Sequence, residues 1–502
     1  MWDGFDEPFH YGIVQQWSRN LAPPILGRTV LSREIWDSLF AAPVSVPVRA
    51  NLGIGISFPD YFRLPASQRL EMRARLEALS PRLADEPSHA PNYEAHHAPL
   101  AYLLLAPLDA LWARQPLLWR VLRLRLVCGT SAVIATGLAM FWLAGLLQMP
   151  EPLALSAVFL VFSPQMFHAT VDHIANDWLM LPLFALLLGR AIVLHSRPGS
   201  TSAALFALTL GAGLLCKSSF LTAVPFAAGL VILCCARRLL RWCQAALFAL
   251  LVLAIAGPWY ARNLTLYHNL SGMQETVNGT PVRQILHAAR QLPWGDALLS
   301  TARHSLWTGN NSFFTLSSLT VWIMLGLLAA GLGLYVFRAA RAGLPPSQRI
   351  LLAGMSCYAL GLVYAAVLAF WASNGVAYTP APWYVQTLLP PGMLLVTVGM
   401  ATRIPAARVL RVALLWVWAY QLALTWLAKL IPFYAGFSSG RARFADLPGW
   451  YAQMLSGSYG ALGTTALLPP PVLLVLAALS IPGAFALAAK LSASPVTSTP
   501  PA

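Results

Sequence analysis

Residues 126–148 read LVCGTSAVIATGLAMFWLAGLLQ, a run without a single charge. A bilayer core takes about 20 apolar residues of helix, so this stretch is long enough to cross one. Lipid offers no partner for backbone N–H and C=O groups, which restricts spanning segments to helices and closed barrels. The run is too long and too continuous for a barrel strand. Comparable runs follow at 152–167, 178–194, 202–216, 220–235, 244–259, 316–337, 350–371, 384–401, 409–428 and 467–489. The predicted fold is an all-α polytopic membrane protein with about 11 transmembrane helices. Composition agrees: 58% hydrophobic residues, 10% charged and a mean hydropathy of +0.62 exclude an ordinary soluble protein.

Charge placement orients the chain. With residues 1–125 outside, one side receives Arg190 and Arg197, then Arg237, Arg238 and Arg241, then Arg338, Arg341 and Arg349. Arg403, Arg408 and Arg411 follow on that side, and finally Lys490. Short basic loops mark the cytoplasmic side. Of the 18 acidic residues, only Glu151 falls among them. The chain is therefore expected to cross a membrane many times with its large loops on the outer side, which the family resemblance given below makes the periplasmic side of a bacterial inner membrane. The +15 net charge is then a topology signal facing anionic lipid, not a sign of nucleic acid.

Three regions result. Residues 1–125 form a large first periplasmic loop carrying interfacial helices. Residues 126–489 form the transmembrane domain, with periplasmic loops near 260–315, 372–383 and 431–466. Residues 490–502 form a cytoplasmic tail whose end, rich in Ser, Thr and Pro, reads as disordered. Within the first loop, residues 68–79 recur at helical period; such a helix either lies on the membrane surface or packs on its own domain. Residues 97–112 are apolar but interrupted by Pro99, Pro107 and Asp109, which reads as interfacial. The cysteines, Cys128, Cys216, Cys234, Cys235, Cys243 and Cys357, lie in or beside apolar runs and read as packing residues. Nothing hydrophobic precedes Trp2, so a further span is expected upstream of the recorded start.

Candidate functional residues sit in the outer pieces. Asp6 and Glu7 are adjacent carboxylates with His10 three residues on, and a helix starting near Pro8 keeps all three at one end. The plain alternative for such carboxylates is helix capping, as it is for Asn176 and Asp177 before the third run. Lys217 closes the fourth run, where a snorkelling lysine is ordinary. Trp259 and Tyr260, ahead of Arg262 and Asn263, suit an aromatic belt. Arg262, Lys217, Lys429, Arg441 and Arg443 are the cations available to hold a phosphate at the membrane surface.

The order of these pieces resembles the GT-C superfamily of polyprenyl-phosphate-dependent glycosyltransferases, nearest to bacterial members related to protein O-mannosyltransferases and lipid A aminoarabinose transferases. The pieces are the DEPFH cluster at 6–10, NYEAHHAPLAY at 92–102 and the arginines Arg120, Arg123 and Arg125, followed by Asn176 with Asp177, residues 213–217, and PWYARN at 258–263. The resemblance implies that Asp6 and Glu7 supply the catalytic carboxylate, with Asp6 as general base. It implies substrate contacts from His10, His97, Asp177, Lys217, Arg262 and Tyr384. The chain departs from the family where PPLYY would stand, having Ala98-Pro99-Leu100-Ala101-Tyr102. It has Pro382-Trp383-Tyr384 in place of an Arg-Tyr pair, and the family's first span is absent.

The implied activity is transfer of a sugar from a polyprenyl-phosphate donor to an acceptor hydroxyl, the acceptor being a protein, lipid or glycan. That chemistry needs a base for the hydroxyl and cations for the departing phosphate. Paired carboxylates are a setting for a divalent ion, but some relatives work without one and no metal ligand is assigned. The competing reading is a transporter or flippase for a lipid or solute, which would place charges near the bilayer midplane and show an internal repeat. The runs contain almost no midplane charge, which favours surface chemistry.

Overall fold

A computed structural model of the chain describes residues 1–2, 4–273, 281–306, 317–401, 404–437, 444–466 and 468–495. Arg403, Arg441, Arg443 and the tail from 496 onward lie outside the described residues. The chain is built from helices; among the described residues the one sheet pairs Val30–Ser32 antiparallel with Pro87–Pro91.

Every predicted span coincides with helix, but the count of full crossings is smaller. Among the described residues, eight helices are long and apolar enough to cross a membrane. A ninth crossing results if Glu151–Phe162 and Gln165–Val171, bent by 68°, count as one. The bend falls at Ser163 and Pro164, where proline lacks an N–H and disfavours helix in the residue before it. Ser200–Cys216 has only 17 residues. The run expected over 384–401 is divided into Pro382–Gln386 and an 11-residue helix, Leu389–Gly399, whose first turn carries Pro390 and Pro391. Hydropathy alone joins what these prolines separate. Leu389–Gly399 still packs deep in the bundle: a Cβ on Gly399 would lie 2.7 Å from the Gly331 carbonyl oxygen, so glycine is what lets it meet Ser318–Ala342 backbone to backbone.

The first long helix, Leu117–Leu146, begins after Pro116, nine residues ahead of the predicted span. At 1.5 Å per residue its 30 residues extend about 45 Å, longer than the roughly 30 Å hydrocarbon core. Its first turns carry Arg120 and Arg125, which pair with Glu34 and Glu7 of the helices that precede it. Arg120 is fully buried, paired with Glu34 and with Asp109 at 3.3 Å, and donates to the Tyr11 hydroxyl at 2.6 Å. Tyr11 donates in turn to Asp109 at 2.8 Å, and Gln15 to Glu34 at 2.9 Å. This network fastens Glu7–Asn20, Arg33–Ala41 and Leu100–Leu111 to the membrane bundle.

Two segments of the first 125 residues take defined places in the fold. The amphipathic segment forms Ala66–Glu77 and packs on its own protein: Arg69 donates to the Thr464 hydroxyl at 3.0 Å and Arg73 to the Ala466 carbonyl at 3.0 Å. The apolar 97–112 stretch forms the 12-residue helix Leu100–Leu111, too short to cross, lying along Glu7–Asn20. All six cysteines are free.

Candidate active site

Asp6 precedes Glu7–Asn20, whose first turn contains Pro8, yet its side chain makes no capping hydrogen bond. It accepts instead from the Tyr93 hydroxyl. Desolvation and the nearby Glu94 push the Asp6 carboxyl up to about 7, against the pull of the Tyr93 hydrogen bond and of Lys217. Glu7 points elsewhere and is fully buried. Both its oxygens are taken by the Arg125 guanidinium, one at 2.7 Å, and the Ile174 N–H donates to it at 3.0 Å. Burial acts to raise the Glu7 carboxyl, but Arg125 outweighs it and holds the group below the usual range. The adjacent carboxylates thus diverge, one into a cavity and one into an anchor, and do not form the paired setting for a divalent ion that their adjacency suggested.

Three histidines gather beside Asp6. His10 Nδ1 lies 2.7 Å from the Tyr102 hydroxyl, and its ring stacks on that of His97 with centroids 5.2 Å apart. His97 Nε2 is 2.5 Å from a Glu94 oxygen. His96 lies against His97, its Nδ1 3.2 Å from the Tyr93 carbonyl. Burial and Lys217 push His97 down to about 3, and burial and His97 push His96 down to about 4. Burial and His97 likewise push His10 well down.

On the opposite side, Asp177 opens Asp177–Ser196 and Lys217 stands where Ser200–Cys216 ends in extended backbone. Lys217 Nζ is 2.5 Å from Asp177 Oδ1, with both side chains only 4% exposed. The ammonium also lies 4.4 Å from the centre of the Tyr384 ring, over its face. Lys217 therefore does not snorkel to water, and Asp177 is spent on an ion pair. Asn176, at the cap position, makes no side-chain cap hydrogen bond either. Gly4 packs closely on His173, since a Cβ there would come within 2.7 Å of that side chain.

Asp6, His10, His97, Asp177, Lys217 and Tyr384 all line one cavity of about 270 Å³. Of the residues given a catalytic or substrate role from the sequence, Glu7 and Arg262 do not, and neither does Lys429, named there as a cation for phosphate. Arg262 donates to the Pro24 carbonyl and lies 4.5 Å from the Trp259 ring centre, fastening the segment after the first helix to Trp242–Tyr267. Tyr267 assists by accepting from the Leu26 N–H at 3.0 Å. Tyr93, Glu94, His96, His173 and Trp383 also line the cavity and were not assigned from sequence. The signal for three of them was present in residues 92–97, where a tyrosine, a glutamate and two histidines crowd one short segment. Trp383 stacks near Phe5 with centroids 4.2 Å apart, so the late Pro382–Gln386 helix closes on the chain's first residues.

No family model matches the chain, and no curated protein does. Among solved structures it aligns with ArnT from Cupriavidus metallidurans bound to undecaprenyl phosphate, at 13% identity and a TM-score of 0.44, covering 91% of this chain and 72% of that one. The apo state of that protein aligns over the same shares at 13% identity, with a TM-score of 0.43. The archaeal oligosaccharyltransferase AglB from Archaeoglobus fulgidus, in complex with an inhibitory peptide and a dolichol-phosphate, aligns at 13% identity and a TM-score of 0.34, covering 97% of this chain and 55% of that one.

Proposed function

We propose that the chain is a membrane glycosyltransferase of the bacterial inner membrane, moving a sugar from a polyprenyl-phosphate donor to an acceptor hydroxyl at the periplasmic face. The observation that carries this reading is the meeting of Asp6 with the Asp177–Lys217 pair and Tyr384 around one cavity, with Asp177 and Lys217 at the ends of apolar helices. A base and a cation for an anionic leaving group are what glycosyl transfer from a phosphate requires. A carboxyl held near 7 takes up a proton at neutral pH far more readily than an ordinary aspartate.

In this reaction the acceptor oxygen forms a bond to the anomeric carbon while the bond from that carbon to the phosphate oxygen breaks. The acceptor proton passes to Asp6, and the phosphate departs with the bonding electrons toward Lys217. Asp177 and Tyr384 hold the lysine ammonium in place. With Arg262 engaged by Pro24 and Trp259, Lys217 is the lysine or arginine that lines the cavity among the described residues. The lipid tail of the donor would remain in the membrane while its head group enters the cavity. The basic short loops support the periplasmic side for that cavity.

The test is a survey of radiolabelled polyprenyl-phosphate sugars in membrane vesicles containing wild type or Lys217→Ala. Label passing to an acceptor in wild type, with the rate reduced at least 100-fold in Lys217→Ala, is the expected result. Label that crosses the membrane still attached to its lipid would favour the flippase reading and overturn this one.

A further inference from the structure

We propose that His10, Glu94 and His97 form a binding site for one divalent transition-metal ion of the zinc class. Each residue offers one ligand atom, and the three atoms lie within 4.8 Å of one another. All three side chains are buried, so the cluster is part of the folded interior and not a chance meeting of surface groups. Two imidazoles and a carboxylate are a donor set used by catalytic zinc, which keeps a further position open. The cluster faces the cavity, which leaves room for that position to be filled by water or a substrate oxygen.

The local geometry suits an ion. His97 Nε2 and the Glu94 oxygen approach to 2.5 Å, a contact now bridged by a proton that a metal would replace. Bonds of about 2 Å in a tetrahedron separate ligand atoms by about 3.3 Å. Widening that contact and drawing in His10 therefore needs side-chain movements of about an ångström. His10 has the outer partner that metal-bound imidazoles generally have: in the tautomer whose Nδ1–H donates to the Tyr102 oxygen at 2.7 Å, Nε2 carries the lone pair a metal would take. The soft, borderline character of imidazole favours zinc, cobalt or nickel over magnesium or calcium, which prefer all-oxygen shells.

The site differs from a pair formed by Asp6 and Glu7, because Glu7 is saturated by Arg125 and Ile174. It does not depend on the transfer reading, since metal binding is read without turnover.

The experiment uses the full chain in lipid nanodiscs, purified on a tag free of histidine, stripped with EDTA and titrated with zinc chloride by calorimetry. Cobalt(II) is titrated in parallel and its visible d–d bands recorded. Wild type is expected to bind a single equivalent of zinc, with cobalt bands of tetrahedral intensity. Affinity should fall at least tenfold in Glu94→Gln and His97→Gln, and less steeply in Tyr102→Phe. Absence of stoichiometric zinc and of cobalt bands in wild type would overturn the proposal, whatever the variants do. So would undiminished affinity in variants whose thermal unfolding remains cooperative.

Discussion

Asp6 is raised from 3.8 to about 7 chiefly by burial and next by Glu94, and its protonation is expected to govern both rate and stability. If it is the base, transfer should climb about tenfold per pH step below about 7 and level off above it. A flat profile across that range would remove Asp6 from the role. For stability the sign follows from linkage: between about pH 4 and 7 the folded chain keeps a proton that the unfolded chain has released. The Asp6 contribution is therefore greatest below the unfolded value and is lost as the pH rises through about 7. Asp6→Asn, which needs no proton, should unfold at a higher temperature than wild type at about pH 8 and show little gain near pH 4, the difference being of order a few kcal/mol. Equal gains at both pH values would contradict the protonation. Asp177 and Lys217 make a second case: removing one partner leaves a buried charge and should cost about 3–5 kcal/mol. Lys217→Met with Asp177→Asn should be more stable than either single variant in urea unfolding; additive losses would mean that the two are not coupled. At this scale the sequence singled out Asp6 and Lys217, which the fold brings to one cavity. It was silent on direction: nothing in Asp6-Glu7 says that one faces a cavity and the other Arg125.

Glu7–Asn20 is tied down at its first turn by the Arg125 pair and along its length by Tyr11, Gln15 and Ser18. Because Ile174 donates to the same carboxylate, this helix also positions the 172–176 segment that leads into Asp177. Arg125→Met should therefore loosen two elements at once, seen as faster backbone hydrogen exchange at 4–10 and at 172–176. Exchange faster at only one of them would show that Glu7 does not couple them. Helix existence was legible in the apolar runs, because run length is a local property of the sequence, but not in the loops, where Arg33–Ala41, Val282–Gln291 and Trp294–Leu306 form without such a run. Helix breaks were not: Pro164 and Pro390 interrupt their runs, while Pro182 and Pro258 are accommodated inside helices. Whether a proline breaks a membrane helix depends on what neighbouring helices offer the freed carbonyls, and that is a tertiary fact.

Across the whole molecule, hydropathy and charge asymmetry define the bundle, while the cavity is assembled from residues 5–10, 93–97, 173–177, 217 and 383–384. No local pattern announces that meeting; it depends on the first loop folding back over the helix ends. The topology implies that Asp85→Cys in a background lacking the native cysteines reacts with an impermeant maleimide in intact spheroplasts, whereas Arg238→Cys reacts only after lysis. The reverse pattern would invert the chain and place the cavity in the cytoplasm. The most direct test of the central claim is sugar transfer by wild type and Asp6→Asn reconstituted in liposomes with a matched polyprenyl-phosphate sugar and acceptor, with folding of both confirmed by thermal unfolding. Transfer by wild type and a loss of at least 100-fold in Asp6→Asn is the result expected of a general base. Transfer by a well-folded Asp6→Asn at the wild-type rate would contradict the assignment of this cavity as the catalytic site.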